Sequence, residues 1–587
     1  MLKVQKPLAR LPQRAKVFTL ADVREAVAAS GTLSPVRIRD LLSAISCYCG
    51  LIGRNPDVVP LDLGAIGEEL GAVNPVAVGI SQKRLANIRS DLLSAITASG
   101  LKALKRPPKK LTEPWINLRR RLKTKGHRFG LSRFCHYASA EGLAPAAVDD
   151  AVIAAFMTWV HENVIHRKPN ELHRQTAMIW NTVATEHPDL KLQQVSLPSF
   201  RAPPKRIDWA LLPESFRDDV EAHLAWCTCT DPFAVDARDR PLAPSSVRLR
   251  RAEIHAAVTA LVDSGTSPAT MTGLGDLVTA QNFESIARRR LYMAEGKENA
   301  FNKLMIGALV QIAREWVKVD DAMLTELKRL ATKVPGIGAG FTQKNKDFQR
   351  QFDDPAVLQR LRRLPHELWS KVRRDKAPNF RTLAHAQVAL AVEILFYMAP
   401  RMRNLAALAF DEHLFLREEP GAVSSLEIPA GETKNKQPIA FDIPPHLARM
   451  LIAYRNEIAP KIMDRKPTCV FVNQDGTRKL PQTLSKLIQR TVFKETGITL
   501  TPHQFRHLAA KILLDHSPGA FELVRQLLGH QNLKTTTDFY AGVDTRRAAR
   551  HHAELLQKWS EQQERALPRR TRRGRKPKTA SNRRSKA

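Results

Sequence analysis

The stretch TPHQFRHLAAKILLDHSPGAFELVRQLLGHQNLKTTTDFY, Thr501 to Tyr540, sets four side chains able to bind or attack an anion among residues that otherwise read as helical core: His503, Arg506, His530 and Tyr540. Breaking a phosphodiester without a metal requires a nucleophile, cations on the non-bridging oxygens, and a proton donor for the departing 5′ oxygen. The phenol of Tyr540 is a candidate nucleophile. Arg506 and a second arginine could grip the phosphate in forked geometry, His503 and His530 could hydrogen-bond its oxygens or shuttle protons, and a lysine on a hairpin could serve as the acid. Taken singly these residues have ordinary readings, since histidines satisfy core hydrogen bonds, arginines coat helices and tyrosines fill space. The argument for chemistry rests on their joint order.

The charge points to the same substrate class. With 92 lysines and arginines against 58 acidic residues, the formal charge is +34, which favours a polyanionic partner because each phosphate contact releases counterions. Nucleic acid is the leading candidate. No run of eighteen or more apolar residues and no basic-then-apolar leader is found, so the expectation is a cytoplasmic, nucleoid-associated protein with no membrane partner. Six cysteines in 587 residues do not make a disulfide framework. Cys47 with Cys49 and Cys227 with Cys229 form two Cys-x-Cys pairs that could in principle meet as four zinc ligands, but the spacing is unlike that of a zinc knuckle and free cysteines are expected.

The elements that would hold these residues are mainly helical, with apolar residues at three- and four-residue intervals. The first half carries a weak repeat of helix, glycine or polar turn, proline, short apolar stretch and second helix. It starts near Leu42, Leu131 and Ala256. This organisation gives helical modules at 1–110, 111–205 and 206–345, joined by Pro-rich or basic segments. From about Leu361 the helices are interrupted by SSLEIPAGETKNKQPIAFDIPP, where Leu426, Ile428, Ile439, Phe441 and Ile443 alternate around a turn: a small β-hairpin in a domain placed at 355–562. The tail, 563–587, is basic and unpatterned. Within it Arg573, Arg575, Lys576 and Lys578, in RGRKPK, resemble an AT-hook that would lie in a narrow A·T-rich minor groove.

The sequence HQFRH resembles the His-x-x-Arg box of the tyrosine recombinases, or phage integrase family. LLGH followed by TTTDFY resembles their Leu-Gly-His box and nucleophilic tyrosine, with His530 twenty-four residues after Arg506 and ten before Tyr540. The resemblance covers Leu361 to about Trp559, and more loosely the module before it, which is similar to the family's core-binding domain. It implies a mainly helical fold with a small β-sheet in the catalytic domain, preceded by helical DNA-binding modules. It identifies Arg401 in APRMRNLAALAF as the family's first arginine, with Arg403 as the alternative, and Lys434 in ETKNKQP as the hairpin lysine, with Lys436 as its neighbour. The implied chemistry is attack by Tyr540 to give a 3′-phosphotyrosyl link, with no cofactor, by a homo-tetramer on paired DNA sites, alone or with partner recombinases. The last helix, 545–562, could pack into a neighbouring subunit.

Two departures stand out. Asn404 occupies a usually acidic position, and Met398-Ala399 replaces the usual Thr-Gly before the arginine. The leading expectation is a site-specific recombinase integrating or excising a mobile element or resolving replicon dimers. An accessory DNA-binding subunit with weak chemistry and a type IB topoisomerase are the alternatives.

Overall fold

The computed structural model describes residues 17–105, 107, 110–200, 206–231, 233, 238, 240–336, 342–419, 422–517, 519–540 and 552–561. Arg573, Arg575, Lys576 and Lys578 lie outside them, as does 545–551 of the expected last helix. The chain is mainly helical with one small antiparallel sheet, the class that its helical periodicity and hairpin alternation anticipate. It divides into two compact units, Met1–Asp208 with Val492–Thr499, and Trp209–Thr491 with Leu500–Ala587.

In the first unit, helices Leu20–Ala28, Pro35–Ile52, Leu63–Ala72 and Gln82–Ser99 enclose a core that includes Leu41, Tyr48, Ile66 and Leu92. Helices Glu113–Arg121, Lys125–Ala140, Asp150–Asn163 and Pro169–Glu186 enclose another. There the Phe134 ring meets Trp115, Phe156 and Trp180 edge-on, with centroids 5.7, 5.2 and 5.8 Å away.

A local code underlies the weak repeat. The second helix of each four-helix group is left through a glycine at positive φ: Gly53 at 68°, Gly142 at 69° and, in the second unit after helix Pro244–Asp263, Gly265 at 107°. Three residues on, Pro56, Pro145 or Pro268 opens a single 3₁₀ turn, and three further on Val59, Val148 or Met271 is buried. Glycine tolerates the left-handed backbone and proline pre-sets the turn, so the chain reverses and plants an apolar anchor at the same register each time.

The two cores of the first unit are joined through a bare helix face. A Cβ on Gly67 would lie 2.5 Å from the carbonyl oxygen of His166, and one on Gly71 would overlap that of Arg167. With no side chain in the way, the 166–167 backbone lies directly on the helix. The Arg167 guanidinium then donates to the carbonyls of Leu70 (3.0 Å) and Val73 (3.1 Å), groups a helix end leaves unpaired.

In the second unit, helix Pro355–Arg374 packs on Phe380–Tyr397, whose residues from Leu383 to Leu395 are nearly all buried. Strands β1 (Leu414–Phe415), β2 (Ser424–Ile428) and β3 (Ile439–Ile443) form an antiparallel sheet in that order, with Leu426 opposite Phe441 and Ile428 opposite Ile439. Leu426, Ile428 and Ile443 point inward, as their alternation requires. Helices Pro502–His516, Phe521–Leu528 and Leu533–Tyr540 complete the described part of this region, and 552–561 is a further exposed helix.

Candidate active site

Thr501 fixes where the site begins. Its hydroxyl accepts from the Gln504 backbone N–H (3.3 Å) while the Gln504 side chain accepts from the Thr501 N–H (2.9 Å), a reciprocal cap that starts the helix at Pro502. The first turns therefore carry His503, Arg506 and His507 at offsets of three and four, on one face. His503 is exposed, whereas Arg506 and His507 are buried, and the two imidazoles meet edge-on at 5.1 Å.

Arg506 ties distant segments together. Its Nη1 donates to the Ala399 carbonyl at 2.6 Å, and its Nη2 to the carbonyl of Leu528, the last residue of its helix. Ala399 sits at φ 42°, a left-handed conformation natural to glycine and costly by about 1 kcal/mol for a residue with a Cβ. The departure from Thr-Gly thus falls on a backbone that wants the glycine. Two residues on, Arg401 is the N-terminal cap residue of helix Met402–Ala407. Its Nη2 reaches the carbonyl of Gly529 at 3.4 Å.

Gly529, at φ 59°, ends helix Phe521–Leu528 and turns His530 back toward the arginines. The turn is stapled by Arg525, whose backbone carbonyl accepts from the His530 N–H (3.0 Å) and whose Nη1 donates to the His530 carbonyl (2.9 Å). His530 Nδ1 lies 3.0 Å from the hydroxyl of Thr536, a fully buried residue, and this contact orients the ring. Arg401, Thr433, Asn435, Arg525, Gly529 and His530 line a cleft of about 270 Å³.

The cleft is electropositive, and its imidazoles respond. Burial, followed by Arg506 and Arg401, lowers the pKa of His530 to about 4. The same causes in the same order lower that of His503. Burial, then His503 and Arg506, takes His507 to about 4. At neutral pH these rings are uncharged, so each offers an N–H to a phosphate without giving up a proton.

The β2–β3 hairpin closes one side of the cleft through a residue between its lysines. Asn435 Nδ2 donates to the Gly529 carbonyl at 2.8 Å, and Gln531 Nε2 donates to the Asn435 carbonyl at 3.2 Å. Lys434 and Lys436 are both exposed, and neither is among the described residues lining the cleft. His503 and Arg506 are likewise not among the residues lining this cleft. Tyr540 closes helix Leu533–Tyr540, and its side chain lies outside the described residues. Thr536, Asn435 and Arg525 were not expected from the sequence; the place of Asn435 between two lysines is the one signal that could have marked any of them, and it concerns Asn435 alone.

Asn404 has a specific task. It is buried, and its Nδ2 donates to the Glu432 carbonyl at 3.3 Å, at the base of the hairpin. An ionised carboxylate cannot donate, so the amide anchors the loop in a way the usual acid would not. Below it, His413 Nδ1 accepts from the Ala409 N–H (3.1 Å), which leaves Nε2 protonated and facing the Glu432 carboxylate at 3.1 Å. Among the described residues Glu412, His413 and Glu432 bring donor atoms together as cation ligands could, but this tautomer offers no lone pair inward. The cysteines are free: Cys49 belongs to the first core, and buried Cys227 lies 3.6 Å from His223 in the other unit.

Replacing Ala399 by glycine relieves the left-handed strain without moving the carbonyl that Arg506 holds. Chemical denaturation is expected to show the variant more stable by about 0.5 to 1 kcal/mol. The histidines give a second test. Their pKa values are lower in the fold than the ordinary 6.5, so protons bind preferentially to the unfolded chain. The contribution of His507 and His530 is whole above pH 6.5 and is lost as pH falls towards about 4, and that of His503 falls in the same direction. The His507→Gln variant should show a shallower loss across that window in denaturant titrations at stepped pH, and an unchanged slope would remove His507 from the account.

Comparison with known proteins places this region. Residues 377–547 match the model of the phage integrase family. The chain is 31% identical over 169 residues to the tyrosine recombinase XerC of Pseudomonas savastanoi pv. phaseolicola, covering 28% of this chain and 50% of that protein. It is 39% identical over 75 residues to the XerC of Pseudomonas syringae pv. tomato, covering 13% and 24%. The chain thus spans half the length of the first relative and about a quarter of the second. Among solved structures, the Tn1549 transposon integrase in complex with circular intermediate DNA is similar at 15% identity, with 54% of this chain and 94% of that one covered and a TM-score of 0.33. Residues 377–547 are thus similar to the tyrosine recombinase, or phage integrase, family.

Proposed function

We propose that the protein is a site-specific DNA recombinase that cuts and rejoins strands through Tyr540. The observation that supports this reading best is the cleft onto which Arg401 and His530 converge, with Arg506 behind it, on a turn whose next helix ends at Tyr540. A scissile phosphate held there would receive N–H donors from Arg401, Arg506, His503 and His530 on its non-bridging oxygens. The phenol oxygen of Tyr540 attacks phosphorus and its proton passes to a nearby base, while the 5′ oxygen leaves and takes a proton from Lys434. The products are a 3′-phosphotyrosyl link and a 5′ hydroxyl. A hydroxyl from a partner strand then reverses the step, so one phosphodiester is exchanged for another and no external energy source is required.

Lys434 is exposed in the free protein. In this proposal the hairpin carries it onto the 5′ oxygen when DNA is bound. The working assembly is a homo-tetramer on paired duplex sites. Leu555, Leu556 and Trp559, exposed on the 552–561 helix, give one copy an apolar ridge for its neighbour. Integration or excision of a mobile element is the role we favour, in the cytoplasm and in association with the nucleoid. No described helix is long and apolar enough to cross a membrane. The position of Lys434 outside the cleft favours a second reading, an accessory DNA-binding subunit with weak chemistry.

The test uses purified protein and short nicked duplexes from the DNA flanking its gene, without added metal. Wild type is expected to give a denaturant-resistant protein–DNA adduct that Tyr540→Phe abolishes. Lys434→Ala should slow adduct formation by roughly 10²- to 10⁴-fold, with the rate recovered on a substrate whose 5′ bridging oxygen is sulfur, because a thiolate leaves without a proton. An adduct that survives Tyr540→Phe would reject the mechanism. Binding without any adduct would favour the accessory role.

A further inference from the structure

One buried hydroxyl beside the cleft breaks the local rule for its residue type. Thr536 stands on helix Leu533–Tyr540, one turn before Tyr540, and is fully buried. A helical threonine ordinarily spends its hydroxyl on the carbonyl one turn back. Thr182, Thr185 and Thr325 do so here, donating to the carbonyls four residues before them at 2.9, 2.9 and 2.8 Å. Thr537, the next residue along, donates to the carbonyls of Leu533 (3.3 Å) and Lys534 (3.1 Å). Thr536 departs from this habit. Among the described residues no main-chain carbonyl receives its hydroxyl, and its contact is with His530 Nδ1 at 3.0 Å.

The direction of that bond follows from placing the protons. A neutral imidazole carries a single N–H, and His530 is neutral at pH 7, its pKa lowered to about 4 by burial, then Arg506 and Arg401. Were the N–H on Nδ1, it would point at the threonine oxygen. The hydroxyl proton, shut away from water, would then have no acceptor among the described residues. A buried donor left unpaired costs more than a net hydrogen bond returns. With the hydroxyl as donor and Nδ1 as acceptor both protons are satisfied, and the ring N–H lies on Nε2. That nitrogen has no hydrogen-bond partner among the described residues, and His530 lines the cleft together with Arg401 and Arg525.

We propose that Thr536 is a positioning residue whose hydroxyl fixes His530 as the Nε2–H tautomer, so that His530 donates a hydrogen bond to the scissile phosphate and is excluded as the base that takes the proton of Tyr540. The same bond ties the imidazole to the helix that ends at Tyr540. The role in strand cleavage rests on the recombinase reading, whereas the tautomer does not.

Two measurements on the full chain test the two parts. The first is nitrogen NMR of the perdeuterated protein carrying nitrogen-15 histidine, without DNA at neutral pH, with the His530 signals identified by their loss in His530→Gln. Wild type should show Nδ1 unprotonated and Nε2 protonated. In Thr536→Val, which keeps the shape and removes the hydroxyl, the two tautomers should mix. A proton on Nδ1 in wild type overturns the proposal, as does a signal that Thr536→Val leaves unchanged. The second measurement is the rate of adduct formation on nicked duplexes at saturating protein. Thr536→Val should slow it by about 10- to 100-fold, the scale for losing the partner that orients a histidine, with DNA affinity and melting temperature close to wild type. Thr536→Ser should restore most of the rate. His530→Gln, whose amide can place an N–H where Nε2 stood but takes up no proton, should keep more of the rate than His530→Ala, expected to lose roughly 10²- to 10³-fold. In the His530→Gln background Thr536→Val should cost little more. An equal cost in both backgrounds would make Thr536 a packing residue and overturn the proposal. Equal losses for His530→Gln and His530→Ala would point to His530 as the base and overturn it too. If wild type binds DNA but forms no adduct, the recombinase reading fails, while the nitrogen signals still decide the tautomer.

Discussion

The guanidinium of Arg506 is the interaction on which the candidate site depends. It is buried, and two of its donors are committed to the carbonyls of Ala399 and Leu528. One bond keeps the strained turn that aims Arg401, and the other keeps the helix end from which Gly529 and His530 emerge. Burying a cation is costly, and main-chain carbonyls compensate only in part. The remainder is a standing positive potential, which adds to burial in depressing His503 and His530. The free site is thus poised to gain from an arriving phosphate: the anion neutralises charge already desolvated, and no donor has to be assembled first.

The hairpin shows how a loop can be held and yet released. The Gly529 carbonyl receives both Asn435 at 2.8 Å and Arg401 at 3.4 Å, so the loop tip and Arg401 share one acceptor. A phosphate that draws Arg401 away leaves the tip hanging on Asn435 and on Gln531, both neutral hydrogen bonds of modest net worth. Asn404 secures the base of the same loop. An acid at 404 would lose that donor. The amide therefore trades a charge near the arginines for control of the hairpin.

What could be read in the sequence followed from local rules. The offset of three between His503 and Arg506 works because Thr501 and Gln504 announce the helix start, and the alternation of Leu426, Ile428 and Ile443 fixes which way β2 and β3 face. The two-residue strand β1 is too short to carry a period, and its pairing with β2 is a tertiary fact. Thr536 and Asn435 were hidden for a similar reason: a threonine six residues past a histidine, or an asparagine in a turn, acquires a role only when Gly529 bends the chain back.

The same distinction separates the modules from the surfaces they carry. Gly53, Gly142 and Gly265, each followed at the same interval by proline and a buried anchor, set an identical chain reversal, and that reversal is nearly all the three groups share. Chain reversal is cheap to specify, since it needs one glycine, one proline and one apolar side chain. Surface chemistry comes from what such groups pack against. In the first unit the bare face of Gly67 and Gly71 admits the backbone of His166 and Arg167. In the second, the long helix Pro244–Asp263 buries Arg250 against Glu253 and Gln311, at 3.4 and 2.6 Å, so its charge is used internally. A common turn code can thus set the same chain reversal while leaving each group free to pack different side chains against its neighbours.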